Sequence, residues 1–164
     1  MLGQAYRKGL FSLTLDPDNP HFARGVSDGT LCRQVTHEVH HCLRMGGPGY
    51  GRTLGEALVS EGLAGQFTGR LFGSGPELWE RAVDDDLLRM HFPEGNVLAT
   101  EGYDHAEWFF GTGRYPRWLG YTLGYRMVGD WLAATPEVDG DTWVNVPAQT
   151  VMAAVDPRMP GSRR

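Results

Sequence analysis

One pentapeptide constrains the fold of this chain more than any other feature. His37-Glu38-Val39-His40-His41 matches the pattern H-E-x-x-H. Two histidines four residues apart can reach one metal ion when the backbone between them is helical, because they then lie one turn apart on the same face. Glu38 lies on the flank of that face, beside the position that a catalytic zinc ion leaves open for water. The pentapeptide therefore predicts a helix that carries part of a zinc site.

A third protein ligand has to come from another part of the chain, and Glu61 is the best-placed candidate. It follows His41 by twenty residues, beyond the glycine-rich segment 46–49, which would turn the chain back and lay a second helix alongside the first. Glu61 falls within an apolar stripe of that second helix, where an unpaired charge is costly. Binding to a metal ion would explain its place, and so would a buried ion pair with an arginine.

Three other residues compete for roles in such a site. Glu56 is an alternative third ligand, but it also completes a capping box with Thr53. His40 turns away from the other two histidines on the helix and is expected to be a surface or structural residue. Cys42 lies on the apolar face and is expected to belong to the core.

The remaining pattern predicts a mostly α-helical protein with a minor β element. A strand is expected at 10–15, with loops at 20–27 and 91–101. Helices are expected at 28–45, 53–72, 74–90, 104–110 and 117–134, with one or two helical turns within 139–156 and an irregular tail after about 156. No domain boundary is visible, so the expectation is a single domain over 1–164.

The helix at 28–45 is expected to bury its apolar side. This face is formed by Leu31, Cys32, Val35, Val39, Cys42 and Leu43. His37 and His41 lie on the opposite side of the helical wheel. The pattern therefore predicts that the apolar side faces the core.

Charge and hydropathy exclude several classes of partner. The net charge is −5 and no basic block is present, so we expect no nucleic-acid partner. No apolar run approaches the length of a membrane span, and no signal peptide is visible, so we expect no membrane partner. Cys32 and Cys42 would be about 15 Å apart on one helix, too far to bond, which favours a reduced, cytoplasmic protein. No feature indicates an oligomeric state.

The sequence also resembles known metallopeptidases. His37 to His41, followed by Ser60-Glu61-Gly62-Leu63-Ala64-Gly65-Gln66-Phe67, resembles the paired H-E-x-x-H and N-E-G-F-A-x-x-F motifs of the gluzincins, with a gap close to that in thermolysin and the zinc aminopeptidases. Over 13–132 the chain more closely resembles a poorly characterised family of predicted zinc-dependent proteases. The further shared segments are Asp16-Pro17-Asp18, Trp108-Phe109-Phe110-Gly111 and Gly120-Tyr121-Thr122-Leu123-Gly124-Tyr125.

The resemblance implies a compact zincin-like domain, with two metal-site helices and a long C-terminal helix. It implies that His37, His41 and Glu61 bind one catalytic Zn2+ and that Glu38 is the general base. The expected reaction is hydrolysis of a peptide bond, in a peptide or protein substrate, by a zinc-activated water molecule.

A tyrosine role also follows from the resemblance. The segment Tyr121-Thr122-Leu123-Gly124 is similar to the Y-x-K-G stretch of zinc aminopeptidases, which implies that Tyr121 stabilises the oxyanion, with Tyr125 as the alternative donor. Leu123 stands where that stretch has lysine. Gly65 stands where thermolysin-like enzymes have an aspartate. The strand at 10–15 is expected to be the edge that aligns substrate.

Three rival functions stay open at this point. The chain could be a zinc-binding domain without peptidase activity that acts as a binding or scaffold module. It could be a zinc hydrolase acting on a non-peptide amide, since the chemistry at the metal is shared. It could also be a metal-free helical binding protein with Glu61 paired to an arginine.

Overall fold

The computed structural model describes residues 2–155. Over this range the protein is mostly helical with one small sheet, as the sequence predicts. In chain order the elements are β1 (Leu2–Arg7), β2 (Leu10–Thr14), α1 (Phe22–Ser27), α2 (Thr30–Arg44), α3 (Leu54–Phe72), a 3-10 helix (Leu78–Arg81), α4 (Asp85–His91), α5 (Gly95–Leu98), a π-helical turn (Ala106–Phe110), α6 (Leu119–Ala134), α7 (Gly140–Asn145) and α8 (Ala148–Ala153).

The two strands form an antiparallel hairpin that packs against α2. The predicted strand at 10–15 is confirmed as β2, whereas β1 was not predicted. Gly3 and Gln4 have low β propensity, so this segment shows no strand pattern by itself. Gly9 occupies the hairpin turn with φ of 73°, a conformation that glycine adopts without strain.

Helices α3 and α6 build the centre of the molecule. The predicted capping box is present, since Thr53 accepts from the Glu56 amide while Glu56 accepts from the Thr53 amide. The two helices touch backbone to backbone, because a Cβ atom at Gly62 would lie only 2.0 Å from the Gly124 carbonyl oxygen. The fully buried side chains around this contact include Leu54, Leu58, Leu63, Leu119, Leu123 and Val128.

Helix α2 buries the opposite face from the one that its hydrophobic pattern predicts, so that prediction is wrong. Val39 and Leu43 are 37% and 48% exposed, and Cys32 is exposed as well. Of the predicted apolar face, only Cys42 is fully buried. The buried residues of α2 are His37, Glu38, His40, His41, Cys42 and Arg44.

The buried polar side chains of α2 have partners inside the protein, which explains why they can face inward. Arg44 Nη1 donates hydrogen bonds of 2.9 Å to the carbonyl oxygens of Val144 and Val146. His40 Nε2 lies 3.0 Å from the Trp143 carbonyl oxygen. A buried polar group is tolerated when it is hydrogen-bonded. These contacts fasten α7 and the residue after it to α2.

Three expectations about loops and helix ends are corrected by the structure. The predicted loop at 20–27 contains α1, and Gly29 at φ 83° separates it from α2, which therefore begins at Thr30. The helix predicted at 74–90 begins only at Leu78, because Glu77 and not Ser74 is its N-cap. It is also split into the 3-10 helix and α4, because Asp84 caps α4 by accepting from the Leu87 amide. The predicted loop at 91–101 contains α5.

The C-terminal expectations are met as far as the structure reaches. The predicted helix at 117–134 is α6, and the predicted turns around Pro147 are α7 and α8. The irregular tail expected after about 156 lies outside the described residues. Within residues 2–155, no helix combines the length and the hydropathy needed to cross a bilayer.

Candidate metal centre

Helices α2 and α3 bring three potential metal ligands together in the interior. His37 Nε2 lies 3.0 Å from Glu61 Oε2, and His41 Nε2 lies 3.5 Å from the same oxygen. The two Nε2 atoms are 3.1 Å apart. All three residues are buried, with His37 and Glu61 each 8% exposed and His41 4% exposed. The twenty-residue spacing therefore does bring Glu61 to the two histidines.

The separations of these atoms fit a tetrahedral zinc ion. Zinc binds imidazole nitrogen and carboxylate oxygen at about 2.0–2.1 Å, so two ligand atoms of a regular tetrahedron lie about 3.3 Å apart. The observed separations, from 3.0 to 3.5 Å, bracket that value. Two nitrogens and one carboxylate oxygen also form a donor set that zinc accepts in catalytic sites. His37, His41 and Glu61 could therefore hold one metal ion.

The charges of the cluster favour a cation. Burial alone would raise the pKa of Glu61, but the charges and hydrogen bonds of His41 and His37 hold that pKa well below its ordinary value. Burial alone would lower the pKa of His37, but its hydrogen bond to Glu61 and the Glu61 charge raise it. Glu61 is thus ionised in the interior, and a bound cation would take over the compensation that the imidazoles provide.

Glu38 lies beside this cluster under the N-terminal strand. It is 4% exposed, and Gln34 Nε2 donates a 3.1 Å hydrogen bond to its Oε1. Burial raises the pKa of Glu38, whereas the charges of His37 and His41 lower it. A Cβ atom at Gly3 would lie 2.1 Å from Glu38 Oε1, so β1 approaches this carboxylate closely. The strand that lies against Glu38 is therefore β1.

Two residues that sequence reasoning did not identify support the cluster from outside. Tyr50 donates a 2.8 Å hydrogen bond to Glu61 Oε1, the oxygen that faces away from the histidines. Ser60 Oγ lies 3.4 Å from His41 Nδ1. Such outer contacts hold metal ligands in orientation. Ser60 adjoins Glu61 in the sequence and carried some signal, whereas no pattern singled out Tyr50 in its glycine-rich loop.

The comparison with protein-family models agrees with this geometry. Residues 9–153 match the family described as predicted Zn-dependent protease (DUF2268). The chain belongs to this family. No significant match was found among curated proteins, and none was found among solved structures. The family's description suggests zinc dependence and proteolysis, but it designates a domain of unknown function.

The two tyrosines predicted as oxyanion donors differ in the carboxylates whose charges act on them. Burial raises the pKa of Tyr121, and the charges of Glu61 and Glu38 add to that rise. Tyr125 instead responds to burial and to the charge of Glu80. Tyr121 thus lies within electrostatic reach of both site carboxylates, and its ring packs edge-on against Phe109 with centroids 5.0 Å apart.

Two further aromatic residues were missed by the sequence analysis. Burial raises the pKa of Tyr103 to about 12, with a contribution from the Glu61 charge. His105, at the start of the π-helical turn, stacks on Phe109 at 4.3 Å, and burial lowers its pKa while Glu61 raises it. Tyr103 and His105 are positioned by packing against the core and against Phe109, and no sequence motif marks them.

The competing residues take other places. Glu56 Oε2 accepts from the amides of Arg52 and Thr53, as the capping box requires. His40 is fully buried against the Trp143 carbonyl, so of the two alternatives expected for it the structural one is realised. Among the described residues, the ion-pair partners of Glu61 are His37 and His41, and no arginine pairs with it.

Proposed function

We propose that this protein is a zinc-dependent peptidase in which His37, His41 and Glu61 hold one catalytic zinc ion. The observation that carries the proposal is the convergence of the three ligand atoms at 3.0–3.5 Å, with Glu38 next to His37 on the same helix. The family's description as a predicted Zn-dependent protease supports it. When bound, zinc would supply a Lewis acid that polarises a carbonyl and acidifies water.

Glu38 is the proposed general base. It takes a proton from the attacking water and passes that proton to the leaving amine. Its buried position raises the pKa of the carboxyl, which makes the carboxylate a stronger base. Gln34 donates a hydrogen bond to Oε1 and restricts the orientation of the carboxylate.

Tyr121 is the proposed donor to the oxyanion that forms on the substrate carbonyl. Burial keeps its phenol protonated, so the hydroxyl can donate a hydrogen bond where negative charge develops. The charges of Glu61 and Glu38 reach Tyr121, whereas Tyr125 responds to Glu80. This difference favours Tyr121 over Tyr125.

The proposed substrate is a peptide or protein, and the proposed location is the cytoplasm. The net charge of −5 disfavours a nucleic-acid partner. Cys32 and Cys42 are free thiols, which fits a reducing compartment.

The decisive experiment is Glu38→Gln. This variant keeps the volume of the side chain and removes its basicity, so it should retain one equivalent of zinc while kcat falls by about 100-fold or more. Zinc is counted by mass spectrometry of the purified protein, and cleavage is followed on a mixture of denatured proteins. Glu56→Gln is the matched control and should cleave at the wild-type rate. Undiminished turnover in Glu38→Gln contradicts the mechanism.

One observation favours a second candidate, a zinc-binding domain without peptidase activity. Glu38 is 4% exposed and β1 lies directly on it, so a substrate can reach this carboxylate only if the hairpin moves. A wild-type protein that binds one zinc ion and cleaves nothing in the denatured-protein mixture would establish this alternative.

A further inference from the structure

Glu80 is a buried carboxylate that the mechanism above does not use. It is 5% exposed and belongs to the 3-10 helix Leu78–Arg81. Its Oε2 accepts a 2.7 Å hydrogen bond from the Glu77 amide, which completes a capping box. Ionised side chains are almost never fully buried unless a partner compensates their charge.

Capping alone does not explain how deeply Glu80 is buried. Glu56 has the same capping role at the start of α3, yet it is only half-buried, and the amide hydrogen bonds lower its pKa. Burial instead raises the pKa of Glu80, so the capping bond does not offset the cost of its position. The comparison within one molecule indicates that Glu80 has a second role.

Glycine at position 65 makes room for the free oxygen of this carboxylate. A Cβ atom at Gly65 would lie 2.1 Å from Glu80 Oε1. Gly65 lies one helical turn after Glu61 on α3, so Oε1 rests against the same stretch of helix that carries the candidate ligand. The bare backbone at Gly65 therefore allows the carboxylate to approach the metal centre.

His37 and Glu80 share a small cavity. The space in it that can hold a water molecule is about 10 Å³, which suits a single water, and Gln34 and Gly65 also line it. His37 directs Nε2 toward Glu61 and His41, which leaves Nδ1 as the ring nitrogen that can donate a hydrogen bond elsewhere. Glu80 lies close enough for its charge to act on His37.

We propose that Glu80 is a positioning residue for His37, whose Nδ1–H it orients through one water molecule in the shared cavity. The inference rests on the proposed zinc site and adds to it the carboxylate that fixes one imidazole. Metal-binding histidines commonly donate their second N–H to a carboxylate, directly or through water, and loss of that partner weakens metal binding by about 10–100-fold.

The test is zinc affinity, measured on the protein of residues 1–164 by competition with a chromogenic chelator. Glu80→Gln keeps the volume and the capping acceptor but removes the charge, and its Kd for zinc should rise by about 10–100-fold. Gly65→Ala retains Glu80 but fills the space of Oε1, and it should weaken zinc binding to a similar extent. Glu56→Gln, which alters the other capping box, should stay within twofold of wild type.

A second readout separates positioning from general destabilisation. In zinc-loaded protein with labelled histidines, the Nδ1–H resonance of His37 should shift in Glu80→Gln and Gly65→Ala and stay in place in Glu56→Gln. The inference is overturned if both site variants bind zinc with wild-type affinity, or if Glu56→Gln weakens binding equally. Should Glu80→Gln fail to fold, Gly65→Ala decides.

The experiments distinguish failure of the proposed peptidase activity from failure of the proposed role of Glu80. A wild-type protein that binds zinc but cleaves nothing refutes the peptidase and leaves the role of Glu80 open to the affinity measurement. A wild-type protein that binds no zinc refutes both.

Discussion

The position of the Glu38 carboxylate depends on the absence of a side chain at Gly3. A Cβ atom at Gly3 would lie 2.1 Å from Glu38 Oε1, 2.5 Å from Cδ and 2.6 Å from Cγ. The atoms in contact belong to a side chain, so Glu38 can give way while the fold is retained. Gly3→Val should therefore displace the carboxylate and lower kcat by about 10-fold or more, since small misplacements of catalytic groups cost about that much.

The matched control for this prediction is Gln4→Val on the same strand. Gln4 is exposed, so the same β-branched side chain at this position does not meet Glu38. Zinc content and the midpoint of thermal unfolding should match wild type in both variants, and only Gly3→Val should lose turnover. Equal activity in the two variants would show that the contact between Gly3 and Glu38 does not position the base.

At the scale of elements, the contact between α3 and α6 holds in place α3, the helix that carries Glu61. A Cβ atom at Gly124 would lie 2.1 Å from the Leu58 carbonyl oxygen, a backbone atom that cannot move without shifting α3. Gly124→Ala should thus lower the free energy of unfolding by about 1–3 kcal/mol. Chemical denaturation measures this change.

Gly129 provides the control on the same helix. The nearest atom to a Cβ there is the Nε2 of Gln66, at the end of a flexible side chain 3.0 Å away. Gly129→Ala should leave the free energy of unfolding unchanged or raise it, because alanine is more favourable than glycine inside a helix by about 1 kcal/mol. A Gly124→Ala variant as stable as Gly129→Ala contradicts the close helix contact.

The start of α3 gives a prediction about pH. Hydrogen bonds from the amides of Arg52 and Thr53 lower the pKa of Glu56 below its ordinary value of 4.5. The folded state therefore binds fewer protons than the unfolded state in this range, so the stabilisation is complete above about pH 4.5 and is lost as the pH falls through the folded-state pKa. Glu56→Gln should cost about 0.3–1 kcal/mol at pH 7, and the difference from wild type should shrink at pH 3.

Urea denaturation at a series of pH values checks this expectation. A difference that grows as the pH falls would have the wrong sign and would refute the capping role of the Glu56 carboxylate. Zinc content should be unchanged in Glu56→Gln, which also tests its exclusion as a ligand.

At the scale of the whole molecule, zinc should couple α2 to the central helix α3, because its candidate ligands lie on both helices. Zinc that binds only the folded state stabilises it by about 4 kcal/mol at a free concentration a thousand times the Kd. For a domain of this size, the midpoint of thermal unfolding of the zinc-loaded protein should then lie about 10 °C above that of protein whose zinc has been removed by a chelator. Glu61→Gln should show a much smaller shift, and a wild-type midpoint indifferent to chelation would contradict the site.

Short-range sequence patterns were enough to predict the helical class and the candidate metal ligands of this protein. The capping box at Thr53 and Glu56 was readable because its partners lie within four residues. The spacing of His37, His41 and Glu61 indicated a cluster, since helical periodicity aligns the histidines and a glycine-rich turn returns the chain. The mostly helical class and the long helix α6 followed from the same kind of short-range pattern.

The tertiary structure alone decided which face of α2 is buried. A hydrophobic pattern predicts the buried face of a helix on the assumption that polar side chains face the solvent. In α2, Arg44 and His40 instead form hydrogen bonds to backbone carbonyl oxygens about a hundred residues away, and His37 forms one to Glu61. Those partners become neighbours only when α3, α6 and α7 have packed. The apolar side of α2 is therefore left partly exposed.

The surroundings of the cluster were also decided by packing. Tyr50, Gly3 and Glu80 reach the site from a loop, a strand and a 3-10 helix that no local pattern connects to the pentapeptide. The sequence by itself determined which residues could bind a metal ion, because that depends on spacing within and between two neighbouring helices. Which groups orient those ligands depends on contacts between distant segments, and these exist only in the folded chain.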